Sequence, residues 1–136
     1  MSRLTKEFMK MRKTLALLLC LAAVPAIPVA AIAHGFTKPQ HGGVVKMSGE
    51  TLFELVTSSA GVSIYVIDED EPVDAAAMTA KMSVLSKGKK TEIAMAPAGG
   101  NRFFAKGLKI PKGANVGVLV IDKTTKARLG ATFIVE

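Results

Sequence analysis

Cysteine, tryptophan and tyrosine are nearly missing from this chain of 136 residues: there is one cysteine, no tryptophan and one tyrosine, Tyr65. The cysteine, Cys20, lies inside an apolar run near the start, so everything after it lacks a disulfide framework and a thiolate metal site. Leu17-Leu18-Leu19 ahead of Cys20 also lacks the small residue expected before a lipidated cysteine. There is no nucleophile elbow, no phosphate loop and no Cys or His pairing that would activate a serine, so the chain reads as a non-enzyme. No stretch after the first 33 residues carries the period of a long amphipathic helix. Only two histidines occur, His34 and His41.

What is present begins with an export signal. Arg3, Lys6, Lys10, Arg12 and Lys13 form a charged region, and Leu15 to Val24 forms an apolar core too short to span a bilayer comfortably. Pro25 and Pro28 break any helix, and Ala31-Ile32-Ala33 supplies the small-x-small pattern that signal peptidase cuts behind. Residues 1–33 are therefore expected to be a cleaved signal peptide, with the product in the periplasm and His34 as its first residue. Cleavage leaves 103 residues, enough for one small domain, and five basic and one acidic residue depart, so the formal charge falls from +7 to +3. The basicity belongs largely to the signal, which removes the main argument for a nucleic-acid partner.

Period-two alternation dominates the remainder and predicts strands. Val62, Ile64 and Val66 share one face, as do Met78, Ala80, Met82 and Val84, and as do Val116, Val118 and Val120. Ile93 and Met95, Phe103, and Ala131, Phe133 and Val135 add further stripes, and Val44-Val45 and Phe53-Glu54-Leu55 complete about eight short strands. Ser86 to Lys90 reads as a hairpin turn, Pro97 to Asn101 as a looser one, and Asp122 to Lys126 as a polar connection. The expected fold is all-β: a small antiparallel, immunoglobulin-like β-sandwich over residues 44–136, preceded by a flexible segment 34–43.

A terminal histidine offers a metal both its α-amine and its ring, and amine plus Nδ1 close a six-membered chelate. Both groups deprotonate near neutral pH, so a divalent ion displaces their protons at modest cost. A second imidazole from His41, brought back by Lys38-Pro39-Gln40, would make a three-nitrogen set that suits Cu(II). Met47, six residues after His41, is a further candidate as a soft thioether ligand; Met82 and Met95 fall on core stripes, where methionine is apolar filler. Met78, near a strand start, and Asp74 are weaker candidates. Asp68-Glu69-Asp70-Glu71 lacks the glycine and ligand spacing of a calcium loop and reads as a solvated turn. A terminal-histidine copper site also serves polysaccharide monooxygenases, but those present a flat aromatic face that a chain with one tyrosine and no tryptophan lacks.

Several segments together carry a resemblance: His41-Gly42-Gly43-Val44-Val45, Val66-Ile67-Asp68 with Pro72-Val73, Leu85-Ser86-Lys87-Gly88-Lys89-Lys90-Thr91-Glu92, and Pro97-Ala98-Gly99-Gly100-Asn101. The chain resembles a group of small exported proteins encoded beside heavy-metal efflux systems, and the front module of some periplasmic adaptor subunits of metal-exporting pumps. The resemblance implies an accessory metal-handling role with copper as the ion, a pump adaptor as partner, and His34 and His41 as ligands. Relatives are richer in histidine ahead of the Gly-Gly. A metal-free interaction module that docks through a sheet edge or the end loops is the competing expectation.

Overall fold

A computed structural model describes residues 37–136; the signal peptide expected over residues 1–33, and His34, lie outside the described residues. Strands form where the alternation places them, with one two-residue addition, β4, beside the acidic turn: β1 (Val44–Ser48), β2 (Thr51–Ser58), β3 (Gly61–Asp68), β4 (Glu71–Pro72), β5 (Met78–Ser86), β6 (Lys89–Pro97), β7 (Arg102–Lys106), β8 (Asn115–Asp122) and β9 (Arg128–Ile134). The only helical element among the described residues is a three-residue 3-10 turn, Ala75–Ala77, capped by the Asp74 carboxylate, which accepts from the Ala76 N–H at 3.0 Å. No helix among them is long and apolar enough to cross a membrane.

All pairings are antiparallel, and one hydrogen-bonded path runs β1-β2-β3-β7-β6-β5-β8-β9, with β4 paired to β3. The all-β, antiparallel expectation is met, but the separation into two immunoglobulin-like sheets is not what this hydrogen bonding describes. β6 pairs along its length with β5 and, through Ala96 and Pro97, also with β7. One strand thus belongs to both halves, and the sheet curls into a nearly closed barrel. Alternation within a strand fixes which face is apolar but carries no information about whether a neighbouring strand is shared.

The turns are built as their residues require. Lys87 and Gly88 both take positive φ, 50° and 76°, in a two-residue hairpin loop whose twist matches the strands it joins. Glu69 and Asp70, at 49° and 65°, do the same between β3 and β4, so the acidic run is a tight turn. Inside the curl, Phe53, Leu55, Val62, Ile64, Val66, Met82, Met95, Phe103, Val116, Val118, Val120 and Phe133 form one buried core. Met82 and Met95 are filler there, as expected, and Met78 packs partly buried against the same cluster.

The two ends of the path, β1 and β9, approach one another without pairing. Between them runs a groove of about 560 Å³ lined by Val44 to Ser48 on one side and Asn115 and Ala131 to Ile134 on the other. Val44 at 57% and Ile134 at 67% exposure are the most exposed large apolar side chains of the described domain.

Candidate functional site

The site begins with a charge in the wrong place for a simple strand. Glu54 faces away from the core, because its strand neighbours Phe53 and Leu55 face in, yet its side chain is only 2% exposed. A buried carboxylate is costly unless its oxygens are satisfied, and here the chain ahead of β1 folds over it and supplies three backbone N–H donors and one imidazole nitrogen. Oε1 accepts from the backbone N–H of His41 at 2.7 Å and of Gly43 at 3.0 Å. Oε2 accepts from the backbone N–H of Gln40 at 3.0 Å and lies 2.9 Å from His41 Nδ1. Two contacts per oxygen use the capacity of a carboxylate fully.

The Gly-Gly after His41 makes this wrapping feasible, and each glycine has its own task. Gly42 takes φ +74°, a left-handed turn that redirects the chain. At Gly43 a Cβ would stand 2.3 Å from the Leu55 carbonyl oxygen and 2.8 Å from Val56 Cγ2, so only glycine lets the turn lie against β2. Residues 40–43 are therefore held on the sheet, where the sequence suggested a flexible segment. The motif that carried the resemblance is, in physical terms, a nest of N–H groups around a buried carboxylate.

His41 itself is fixed twice. Its Nδ1 faces Glu54, and its ring stacks on Tyr65, the cross-strand neighbour of Glu54, with centroids 3.5 Å apart and planes 5° from parallel. The ring remains 40% exposed, and its Nε2 has no partner among the described residues. Beyond Tyr65 in the same row comes Arg102, whose Nε donates to Ser63 Oγ at 3.0 Å and whose guanidinium lies 4.8 Å over the Phe104 ring. These two contacts draw the fixed positive charge toward Ser63 and Phe104, one two-residue repeat along β3 from Tyr65.

Of the residues proposed from sequence, His41 is held by Glu54 and Tyr65 with its ring partly exposed, and Met47 stands on the same sheet face as Glu54. Val45 pairs with Glu54 and Met47 with Leu52, so Met47 lies one repeat, about 7 Å, further along the strand. Its side chain is 42% exposed. Asp74 is used as a turn cap and Met78 packs on the core, so neither joins His41. No group of three or more His, Cys, Asp or Glu side chains close enough to hold an ion occurs among the described residues. Glu54 and Tyr65 were not singled out from the sequence. The available signal was that Glu54 shares its face with Leu52 and Val56, making it a lone charge on an apolar surface.

Burial pushes the Glu54 carboxyl up, and the hydrogen bonds from the His41 ring and from the Gly43, Gln40 and His41 amides outweigh it, holding the group below its ordinary value of 4.5. A carboxyl with a depressed folded-state value contributes stability that is complete above its ordinary value and is withdrawn as pH falls through the folded one. Wild-type protein is therefore expected to lose more stability between neutral pH and pH values below 4.5 than a Glu54→Gln variant does. Urea denaturation of both at neutral and acidic pH checks this; equal losses would show that the buried carboxylate is not the group responsible.

Comparison with protein-family models, with curated proteins and with solved structures finds no match for this chain.

Proposed function

We propose that this protein is an exported, periplasmic, metal-binding accessory protein that takes up copper and either sequesters it or hands it to an efflux system. One observation carries the reading: an exposed imidazole, His41, anchored through Nδ1 to a buried carboxylate, with Nε2 open. Metal-binding histidines are commonly held this way, the carboxylate orienting the ring and raising its basicity. Glu54 itself is saturated by its four donors and serves as an orienting group. One imidazole does not make a tight site. The remaining nitrogens would come from the α-amine and ring of His34, seven residues earlier, once the signal is removed. Such a three-nitrogen set favours Cu(II) over other divalent ions. A site completed partly by a chain terminus keeps a coordination position accessible to a receiving partner.

The test is a Cu(II) titration of the chain that begins at His34, followed by competition with a chelator and by electron paramagnetic resonance. One Cu(II) per chain with a nitrogen-rich spectrum is expected, with stoichiometric binding lost in His41→Ala and in a chain carrying one extra residue ahead of His34. A His41→Ala protein that binds as tightly as wild type removes His41 from the site and ends this reading.

The gap between β1 and β9 favours a second reading, in which the domain is a metal-free docking module. Two unpaired strand edges flanked by Val44, Met47 and Ile134 can receive an extended segment of an envelope or efflux protein. Lys46, which faces the core side of β1 yet stays exposed, would oppose pairing of β1 with a second copy of itself and pair with an acidic residue on an incoming strand. Absence of stoichiometric copper, together with protection of β1 and β9 amides from hydrogen exchange by a co-purified partner, would favour this reading over the first.

A further inference from the structure

We infer that Glu54 is a positioning residue that fixes His41 as its Nδ1–H tautomer, so that Nε2 is the only ring nitrogen His41 can offer to an ion. The inference rests on the metal-binding reading for what Nε2 then does, but its geometric basis does not. Glu54 accepts three backbone N–H groups through both of its oxygens. A carboxyl so surrounded is an acceptor only, and a proton on it would face another donor at each oxygen. The 2.9 Å contact with His41 Nδ1 is consequently N–H to carboxylate, with the proton on the ring. The second ring nitrogen is left with its lone pair in the ring plane, directed away from the buried carboxylate.

The stack on Tyr65 adds a directional constraint. With the two rings 5° from parallel at 3.5 Å, one face of the imidazole is covered, and an ion reaches Nε2 only from the edge, level with the stack. Flipping the ring by half a turn to expose Nδ1 keeps it parallel to Tyr65 but places a carbon against Glu54, which breaks the bond to the carboxylate and leaves that buried group short of a donor. The chemistry of the two histidines therefore differs. On the metal-binding reading, His34 would close a six-membered chelate through its amine and Nδ1, whereas His41 would bring Nε2. A neutral imidazole nitrogen held in this way takes borderline divalent ions and is a poor ligand for calcium or magnesium, which require oxygen.

The experiment is nitrogen-15 NMR of the chain beginning at His34, first without metal at about pH 9, above the range in which ordinary imidazoles titrate. His41 is expected to show a protonated Nδ1 and a bare Nε2; the opposite tautomer overturns the inference. In folded Glu54→Gln protein the tautomer balance is expected to move toward Nε2–H and the affinity for zinc(II) chloride, a diamagnetic probe, to fall about 10–100-fold. A folded variant with unchanged tautomer and unchanged affinity overturns it as well. Should Glu54→Gln not fold, zinc added to the wild type decides: movement of the Nε2 resonance with the Nδ1 proton retained supports the assignment, and loss of that proton refutes it. If the wild type binds neither zinc nor copper, the metal-binding reading fails, while the metal-free tautomer still decides the role of Glu54.

Discussion

Gly43→Ala is expected to destabilise the domain by about 2–3 kcal/mol and to release His41 from Glu54, because the added methyl overlaps backbone that cannot yield cheaply. The Cβ would meet the Leu55 carbonyl oxygen at 2.3 Å, and Leu55 is a core residue of β2, paired with Ile64 on β3. The less costly response is for residues 40–43 to lift away, which removes up to four donors from a carboxylate in one step. Urea denaturation measures the loss, and hydrogen exchange at the Gln40, His41 and Gly43 amides reports the lifting. Gly42→Asn is the control: that position has open space, φ +74° is a conformation asparagine tolerates, and the cost should stay under about 1 kcal/mol. Equal effects at the two positions would mean that the turn conformation, and not the close approach to β2, is what the Gly-Gly provides.

Phe53→Ala should cost more, about 3–5 kcal/mol, since it removes a large ring that β2 buries fully in the core. Against a total stability of about 5–15 kcal/mol for a domain of this kind, that loss brings the protein close to unfolding at ordinary temperature. Phe53 and Glu54 are adjacent in sequence and face opposite sides of the sheet. The Phe53→Ala protein, where still folded in the cold, is therefore expected to keep the Glu54 hydrogen bonds and the His41–Tyr65 stack. Ile134→Ala, at an exposed position near the unpaired edge, should change stability by no more than about 0.5 kcal/mol. The shift of the urea midpoint at constant slope is the measurement. A Phe53→Ala cost comparable with that of Ile134→Ala would show that the curl of the sheet does not enclose the core as described.

These two substitutions separate what the domain uses to fold from what it uses to present His41. The core face of β2 is ordinary apolar packing, and its energy comes from area removed from water. The other face holds an ion in a nest of amides, and its energy depends on every donor being present, so partial disruption is disproportionately costly. Substitutions at Gly43 and Glu54 are thus expected to be coupled: once residues 40–43 have lifted, removing the carboxylate adds little further loss.

The sequence by itself determined the strands, because a period of two in side-chain direction is a local property of extended chain and survives in any sheet arrangement. Val62, Ile64 and Val66, or Val116, Val118 and Val120, read as core stripes from their spacing alone, and all six are buried. The Lys87-Gly88 and Glu69-Asp70 turns were likewise local, set by residues that accept positive φ or solvate readily. The histidines were legible as candidate chemistry, since imidazole nitrogen is a donor of the type divalent ions take, whatever the fold. What only the tertiary structure decided was non-local: that β6 pairs on both sides and joins the sheet into one path, that β1 and β9 end it unpaired, and that Glu54 is buried and encircled. Glu54 and His41 are thirteen residues apart, and no spacing rule connects a strand carboxylate with a loop imidazole. Their meeting depends on the register of β1 against β2 and on a chain reversal at Gly42-Gly43, and both are set by packing across the sheet.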